Sequence, residues 1–429
     1  MKPSIFFDFM KRKGKEISSR EIGKVVIDSR NIEKNDIFVA IRGGNSFAKE
    51  ALEKGAAFVI YDSSDVNISE ADSIQVADSV EFLQEMASFY RKALNPMVIA
   101  ITGSNGKTTT KDILYSIMSK KWKGKKTEGN YNNHIGLPYT LMQLEEDDKF
   151  IILEMGMSGF GEIELLAKIA EPDYGIITNI GHSHLEHLKT RENIFKAKTE
   201  LLPFVKKESV VSGDDEFLKE CSCIKAGKNG DVTVENIEIS ENGASFDLNL
   251  NGKKLNIKTN LTGEHNVINE AIAAAMASLC GVSEEEIIEG LKEIEISKMR
   301  FQKIEKDGTV FINDAYNASP MSMKCAIDTF SKMYLDHIRI VVLGDMLELG
   351  EDSINLHKEL KQEIEKAGFD HIFLYGENMR YLCDAMEGRA EHFSSKREIA
   401  EKIAAINGKK AVLLKGSRGM KLEEILKNN

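Results

Sequence analysis

The sequence predicts an α/β chain of three domains, and three observations carry that prediction. Its 429 residues exceed what one hydrophobic core organises, and at roughly 100–200 residues per domain two or three domains are expected. From Met97 onward, strands of the buried type alternate with amphipathic helices, which is the pattern of a parallel sheet covered on both faces. A glycine-containing loop ending in Lys-Thr-Thr joins the first of those strands to its helix, the context in which phosphate is bound. The expected division is a small mixed α/β N-terminal domain at 1–95, a central P-loop-type parallel-sheet domain with a small antiparallel flank at 96–298, and a C-terminal Rossmann-like α/β domain at 299–429.

Each part has its own signals. In the first, Lys24–Asp28, Asp36–Arg42 and Ala57–Tyr61 read as short strands. Ser79–Ala93 reads as a helix with Phe82, Met86, Phe89 and Tyr90 at helical spacing, and Asn95-Pro96 closes it. In the second, MVIAIT, FIILEM and YGIITNI are strands, and KTTTKDILYSIMSK and IELLAKIA are helices. Residues 231–262 alternate with period two around Asn242-Gly243 and Asn251-Gly252, a hairpin signature, and Val267–Cys280 is an alanine-rich helix. The third block begins near Met299, with strands expected at Val310–Asn313, Ile338–Leu343, His371–Tyr375 and Ala411–Lys415.

Composition excludes several classes. The net charge of −11 argues against a nucleic-acid partner, which needs dense Lys/Arg surfaces. A small polyphosphate stays possible, since backbone N–H groups can bind it without global basicity. Five scattered cysteines do not form a disulfide framework, and the C-x-C pair Cys221/Cys223 has no nearby partner for zinc. No apolar run reaches the length of a membrane span, and the start, MKPSIFFDFMKRKGK, has the wrong order for a secretory signal. A cytoplasmic monomer is the expectation. The charged stretches Lys120–Lys126 and Glu284–Glu286 read as solvated faces.

The strongest local signal is Thr102-Gly103-Ser104-Asn105-Gly106-Lys107-Thr108-Thr109. Gly103 and Gly106 let the backbone wrap a phosphate, the helix start presents free N–H groups, Lys107 adds a point charge and Thr108 offers a hydroxyl to Mg²⁺. Ile101 stands where G-x-x-x-x-G-K-[ST] has its first glycine, so the loop is a variant. Glu154 ends the next buried strand, where open α/β sheets bind ligands; it fits a hard-cation ligand as well as it fits a capping or surface residue. His182, His184 and His187 cluster after the third strand, which suits metal or phosphate contact but equally an exposed loop. Lys198, on a helix expected over Glu192–Leu202, reads from spacing alone as a solvated side chain.

Together these segments resemble the Mur ligase family along nearly the whole chain. The resemblance rests on DSR (Asp28–Arg30) with DIFVAIRG, TGSNGKTTTK, NYNNHIGLP, EMGMSGFGEI, TNIGHSHLEHL, RENIFKAKTEL, GEHNVINEAIAAA, NDAYNASPMSM, LGDMLELG and LKGSRGM. It implies an ATP- and Mg²⁺-dependent ligase whose substrates are a UDP-muramoyl-peptide and D-alanyl-D-alanine. The carboxylate would be activated as an acyl phosphate under a closing C-terminal domain. By position it implies ATP contacts from Gly103, Ser104, Asn105, Gly106, Lys107, Thr108 and Thr109, and adenine contacts from Asn133 and Asn269. Metal ligands would be Thr108, Glu154, His184 and Lys198, the last as a carbamate formed with CO₂. Arg300 and Asp314 would close on the nucleotide. Catalysis would fall to Lys107, Lys198, His184 and Arg300. Ser29 and Arg30 would meet the uridine end, and Tyr316, Asn317, Lys415, Ser417 and Arg418 the dipeptide. The chain departs from the family at a shortened Gly43–Phe47, at Asn313 in place of Asp and at Ala315 in place of Ser. Two further readings stay open: a related ligase with another carboxylate and amine, and a P-loop switch without ligation.

Overall fold

A computed structural model describes residues 1–17 and 20–427. The chain divides into two compact units: Met1–Thr102, Met118–Ile177 and Ala197–Ser209 form one, and Gly103–Ile117, Thr178–Lys196 and Val210–Asn429 the other.

The first unit opens with a helix that the sequence reading left unassigned. Pro3–Arg12 has proline in its first turn and buries Ile5, Phe6, Phe9 and Met10, so the initial apolar patch is one face of a helix. Phe6 meets Phe58 edge-on with ring centroids 5.8 Å apart, and Phe9 meets Phe82 at 5.3 Å. Four short strands, β1 (Val25–Val26), β2 (Ile37–Val39), β3 (Phe58–Tyr61) and β4 (Ser73–Gln75), pair in parallel in that order. The helix Ser79–Leu94 is capped by Asp78, which accepts from the N–H groups of Val80 and Glu81, and it ends on Asn95 in the left-handed conformation.

In the same unit β5 (Met97–Thr102), β6 (Gly124–Lys126), β7 (Phe150–Glu154) and β8 (Tyr174–Ile177) run parallel in the order β6-β7-β5-β8. Three of them, β5, β7 and β8, are the expected ones. β6 corrects the reading of Lys120–Lys126 as only a solvated run, because its last three residues form an edge strand. Pairing uses the backbone, and lysines at a sheet edge keep their charges in water. Gly124 packs so closely that a Cβ there would lie 2.5 Å from the Phe150 ring.

β9 (Glu208–Ser212) starts on the last two residues of the first unit. In the second unit, β10 (Ile224–Gly227) precedes two hairpins of β11 (Val232–Ser240), β12 (Gly243–Leu250) and β13 (Lys253–Thr259). Both turns fall where the Asn-Gly pairs predict, and Asn251 and Gly252 take the positive φ values, 53° and 74°, of a tight hairpin turn. Against these strands lies the helix Glu264–Leu279, whose buried alanines permit close approach to the sheet. Glu284–Glu286, read as a solvated face, forms the first turn of the helix Glu284–Lys292, with Ser283 and Glu286 in a reciprocal capping box.

The last sheet contains β14 (Gln302–Lys306), β15 (Thr309–Asp314), β16 (Ile338–Gly344), β17 (His371–Tyr375), β18 (Glu391–Phe393) and β19 (Lys410–Lys415). Their order is β14-β15-β19-β16-β17-β18, and only β14 is antiparallel to its neighbour. All four expected strands are present. The two edge strands escaped sequence reading because they are short and polar.

Glu270 is buried in the alanine-rich helix, accepts from the Thr259 hydroxyl at 2.7 Å, and is pushed up to about 8 by desolvation. The folded state therefore holds this proton more tightly than the unfolded chain. The stabilisation is complete below about pH 4.5 and is lost as pH rises towards 8. Glu270→Gln keeps the hydrogen bond without the titration. Denaturant melts across that range should show the parent losing on the order of 4 kcal/mol relative to the variant; parallel pH profiles would refute it.

Candidate nucleotide and metal site

β5 delivers the chain to the phosphate loop. Ile101 is fully buried in that strand, which is why it cannot act as a loop residue and why the loop begins only at Gly103. Gly103 has φ 146°, and a Cβ there would lie 1.9 Å from Oγ1 of Thr178. Gly106 has φ 81°, and its Cβ would lie 2.8 Å from Oδ1 of Asn269. Neither position admits a side chain. The helix Lys107–Met118 starts at once, so its first N–H groups and positive end lie at the loop.

The loop is held by the segment after β8. The Asn105 N–H donates to Oδ1 of Asn179 at 3.0 Å, and the Asn105 carbonyl accepts from the Thr178 hydroxyl at 2.6 Å and the Asn179 amide at 3.0 Å. The Ser104 hydroxyl accepts from the Gly181 N–H at 2.8 Å. Nζ of Lys107 donates to the Gly103 carbonyl at 2.7 Å, which folds its ammonium across the loop. Thr109 is half-buried on the helix.

Two segments reach the same loop, one just before β14 and one just after β15. Nη2 of Arg300 donates to the Thr108 hydroxyl at 3.2 Å, and the Ser319 hydroxyl donates to Oδ1 of Asn105 at 2.8 Å. The guanidinium of Arg300 lies 4.2 Å from the centroid of Tyr316. Asp314 accepts from the Phe301 N–H at 3.1 Å and pairs with Lys415 at 2.7 Å. Lys415, buried, also donates to the Asn317 carbonyl at 2.9 Å. Ser417 is buried and accepts from the Leu347 N–H, whereas Arg418 is exposed and pairs with Glu423. Thus Arg300, Asp314, Tyr316, Asn317 and Lys415 form one connected cluster, and Arg418 stands apart from it. Asn269 is buried beside Gly106, 3.5 Å from Asn266.

Ser319 was not singled out from the sequence, although Ser-Pro before an apolar run is a helix-start signal; it caps the helix Pro320–Ser331. Asn313, the departure from the usual Asp, accepts from the Ala315 N–H and shapes the turn into this segment.

His184 takes a left-handed backbone, φ 58°, and its Nδ1 lies 2.8 Å from a carboxylate oxygen of Glu348. That contact draws the Glu348 carboxyl below its ordinary range. It leaves Nε2 as the nitrogen for a metal, with a carboxylate behind the ring as metal-bound histidines have. His182 lines a cavity of about 700 Å³ with Arg191, Glu216, Phe217, Glu351 and Asp352, and burial lowers its pKa.

In the first unit, Glu154 is buried at the end of β7, and its Oε1 accepts from the Asn132 amide at 3.0 Å. Asn133 accepts from the N–H groups of Ile135 and Gly136, which fixes its side chain at a helix start. Lys198 is 1% exposed, which overturns its reading as a solvated helix lysine. Arg30 is exposed and forks onto Asp28, whose carboxyl is lowered to about 2 by that bond; the neighbouring Ser29 carbonyl accepts from Lys54. The short Gly43–Phe47 segment is a 3₁₀ turn ending in exposed Phe47. Glu145, Asp147 and Asp148 also lie together, but Lys123 bonds to the first two, making a surface ion-pair group.

The Mur ligase middle domain matches residues 101–277 and the Mur ligase glutamate ligase domain residues 299–418. The UDP-N-acetylmuramoyl-tripeptide–D-alanyl-D-alanine ligase of Bacillus subtilis is 37% identical, covering 94% of this chain and 92% of the relative. The chain belongs to the Mur ligase family. Among solved structures, MurF from Acinetobacter baumannii superposes with a TM-score of 0.90 at 28% identity, covering 99% of this chain and 98% of that one. MurF ligase from Thermotoga maritima in complex with ADP gives 0.85 at 27% identity, with 94% and 96% covered. The α/β architecture expected from the sequence is therefore that of this Mur ligase's relatives. No helix among the described residues is long and apolar enough to cross a membrane.

Proposed function

We propose that this Mur ligase joins D-alanyl-D-alanine to UDP-N-acetylmuramoyl-tripeptide at the expense of ATP, in the synthesis of peptidoglycan precursors. The observation that carries the ATP-dependent step is the union of a phosphate loop with a second, independent cation: Arg300 bonds to Thr108 at the helix start. The choice of substrates is supported by relatives that bear this activity in their names and match over more than nine-tenths of the chain.

The substrate carboxylate attacks the γ-phosphorus of ATP, the bond to the β-γ bridging oxygen breaks, and acyl phosphate and ADP form. Lys107 and Arg300 neutralise the anionic oxygens as that charge moves. The amine nitrogen of the dipeptide then attacks the acyl carbon, loses a proton, and phosphate leaves. Acyl phosphates hydrolyse, so water must be kept out between the steps.

Thr108 would hold one Mg²⁺, and Glu154, His184 and Lys198 a second; when bound, the ions would supply further neutralisation of phosphate charge. The donor chemistry fits: a buried carboxylate, a histidine backed by Glu348, and a hydroxyl at the helix start. Lys198 fits best as a carbamate, since an anionic oxygen ligand suits a hard cation and an ammonium does not. Asn133, Asn269 and Asp314 would hold the nucleoside, Gly103–Thr109 its phosphates, Ser29 and Arg30 the uridine end, and Tyr316, Asn317, Lys415, Ser417 and Arg418 the dipeptide side. The segments 1–95, 96–298 and 299–429 would serve as substrate, ATP and ligase domains of a cytoplasmic monomer.

Phosphate release from ATP with UDP-N-acetylmuramoyl-tripeptide, with and without D-alanyl-D-alanine, tests the reading. Release that requires both supports it. Release indifferent to both, or none at all, overturns the substrate pair.

A further inference from the structure

Arg300 sits on a backbone that is costly to make. Met299 and Phe301, on either side of it, both take left-handed conformations, φ 63° and 53°, which side chains with a Cβ rarely adopt. The segment is pinned by its neighbours: the Met299 N–H donates to Oε1 of Gln302 at 3.1 Å and the Phe301 N–H to Oδ1 of Asp314 at 3.1 Å. Strained backbone persists where the surroundings over-determine it, commonly where a side chain must be aimed.

The aim is visible in the side chain. One nitrogen, Nη2, bonds to Thr108, while Nε is buried and has no hydrogen-bond partner among the described residues. A buried N–H without an acceptor is expensive, and a phosphate oxygen would satisfy it. What keeps the guanidinium from rotating away is the ring of Tyr316 beneath it, 4.2 Å from ring centroid to guanidinium carbon. Tyr316 is in turn carried on the short run from Asp314 to Ser319, whose two ends are tied to Lys415 and to Asn105.

We infer that Tyr316 is a positioning residue for phosphoryl transfer: its aromatic face fixes the plane of Arg300 so that the free Nε–H meets a phosphate oxygen at the loop. This rests on the ATP-dependent reading above and gives Tyr316 a role distinct from contact with the dipeptide. The ring is what matters, since a cation–π contact uses the face and not the hydroxyl.

The test compares ATP turnover in the full-length protein with both substrates present, alongside melting temperatures. Tyr316→Leu should lower kcat by about tenfold, the scale of a desolvated cation–π contact, with an unchanged melting temperature. Tyr316→Phe, which keeps the aromatic face, should lose less than Tyr316→Leu. In an Arg300→Lys background, whose ammonium has no plane to orient, the Tyr316→Leu loss should shrink to about twofold or less. Equal losses in the two backgrounds, or a Phe variant as impaired as Leu, overturns the inference while leaving the ligase reading intact. A parent chain without any ATP-dependent turnover overturns the ligase reading, and this inference with it.

Discussion

Lys107→Ala should lower turnover on the order of a thousandfold while leaving the fold in place. Lys107 is the first residue of its helix, and its ammonium is bent across the loop to the Gly103 carbonyl, 2.7 Å away. Incoming phosphate oxygens would meet that charge first. Removing it leaves the backbone N–H groups and the helix end, which still bind an anion but do not follow the charge that builds during phosphoryl transfer. Alanine is a better helix former than lysine, so the melting temperature should stay within a few degrees. Phosphate release and a thermal melt on the same sample decide the matter: near-parent turnover refutes the loop assignment.

The second large effect is expected at Lys198. Its burial, 1% exposed, places its chemistry inside the protein. Lys198→Ala should reduce turnover by about a hundredfold or more, the scale seen when support of a metal centre is lost. If the working group is a carbamate, short carboxylic acids such as acetate or formate supply a similar pair of oxygens and should restore part of the activity. A variant that no acid rescues removes the carbamate from the account, and one with full activity removes Lys198 from the site.

The contrast between these two lysines shows what a sequence can reveal. Lys107 is legible because its partners are its neighbours: strand, two glycines, lysine and helix follow one another in the chain. Lys198 sits in a polar helical stretch, AKTE, and nothing local reports that this turn is buried. The same holds for Arg300 and Tyr316 and for Asn105 and Ser319, pairs whose contact depends on the path of the chain between them. Strands with apolar runs, such as β5, β7, β8 and β16, were plain to read. The edge strands β6, β14 and β18 were not, because an edge is defined by backbone pairing and tolerates polar side chains. The helix Pro3–Arg12 was missed for a different reason: its apolar residues come in adjacent runs, Ile5–Phe7 and Phe9-Met10, that suggest a patch until they are wound at helical pitch.

The bracing of the phosphate loop by Thr178, Asn179 and Gly181 has a thermodynamic consequence. The conformational entropy of shaping the loop is charged to folding, so an arriving nucleotide has little left to order. Calorimetry of nucleotide binding should then carry a small entropic penalty, and weakening any brace should transfer that penalty to binding. Asn179 would in this way control affinity through the disorder it prevents, without touching a phosphate.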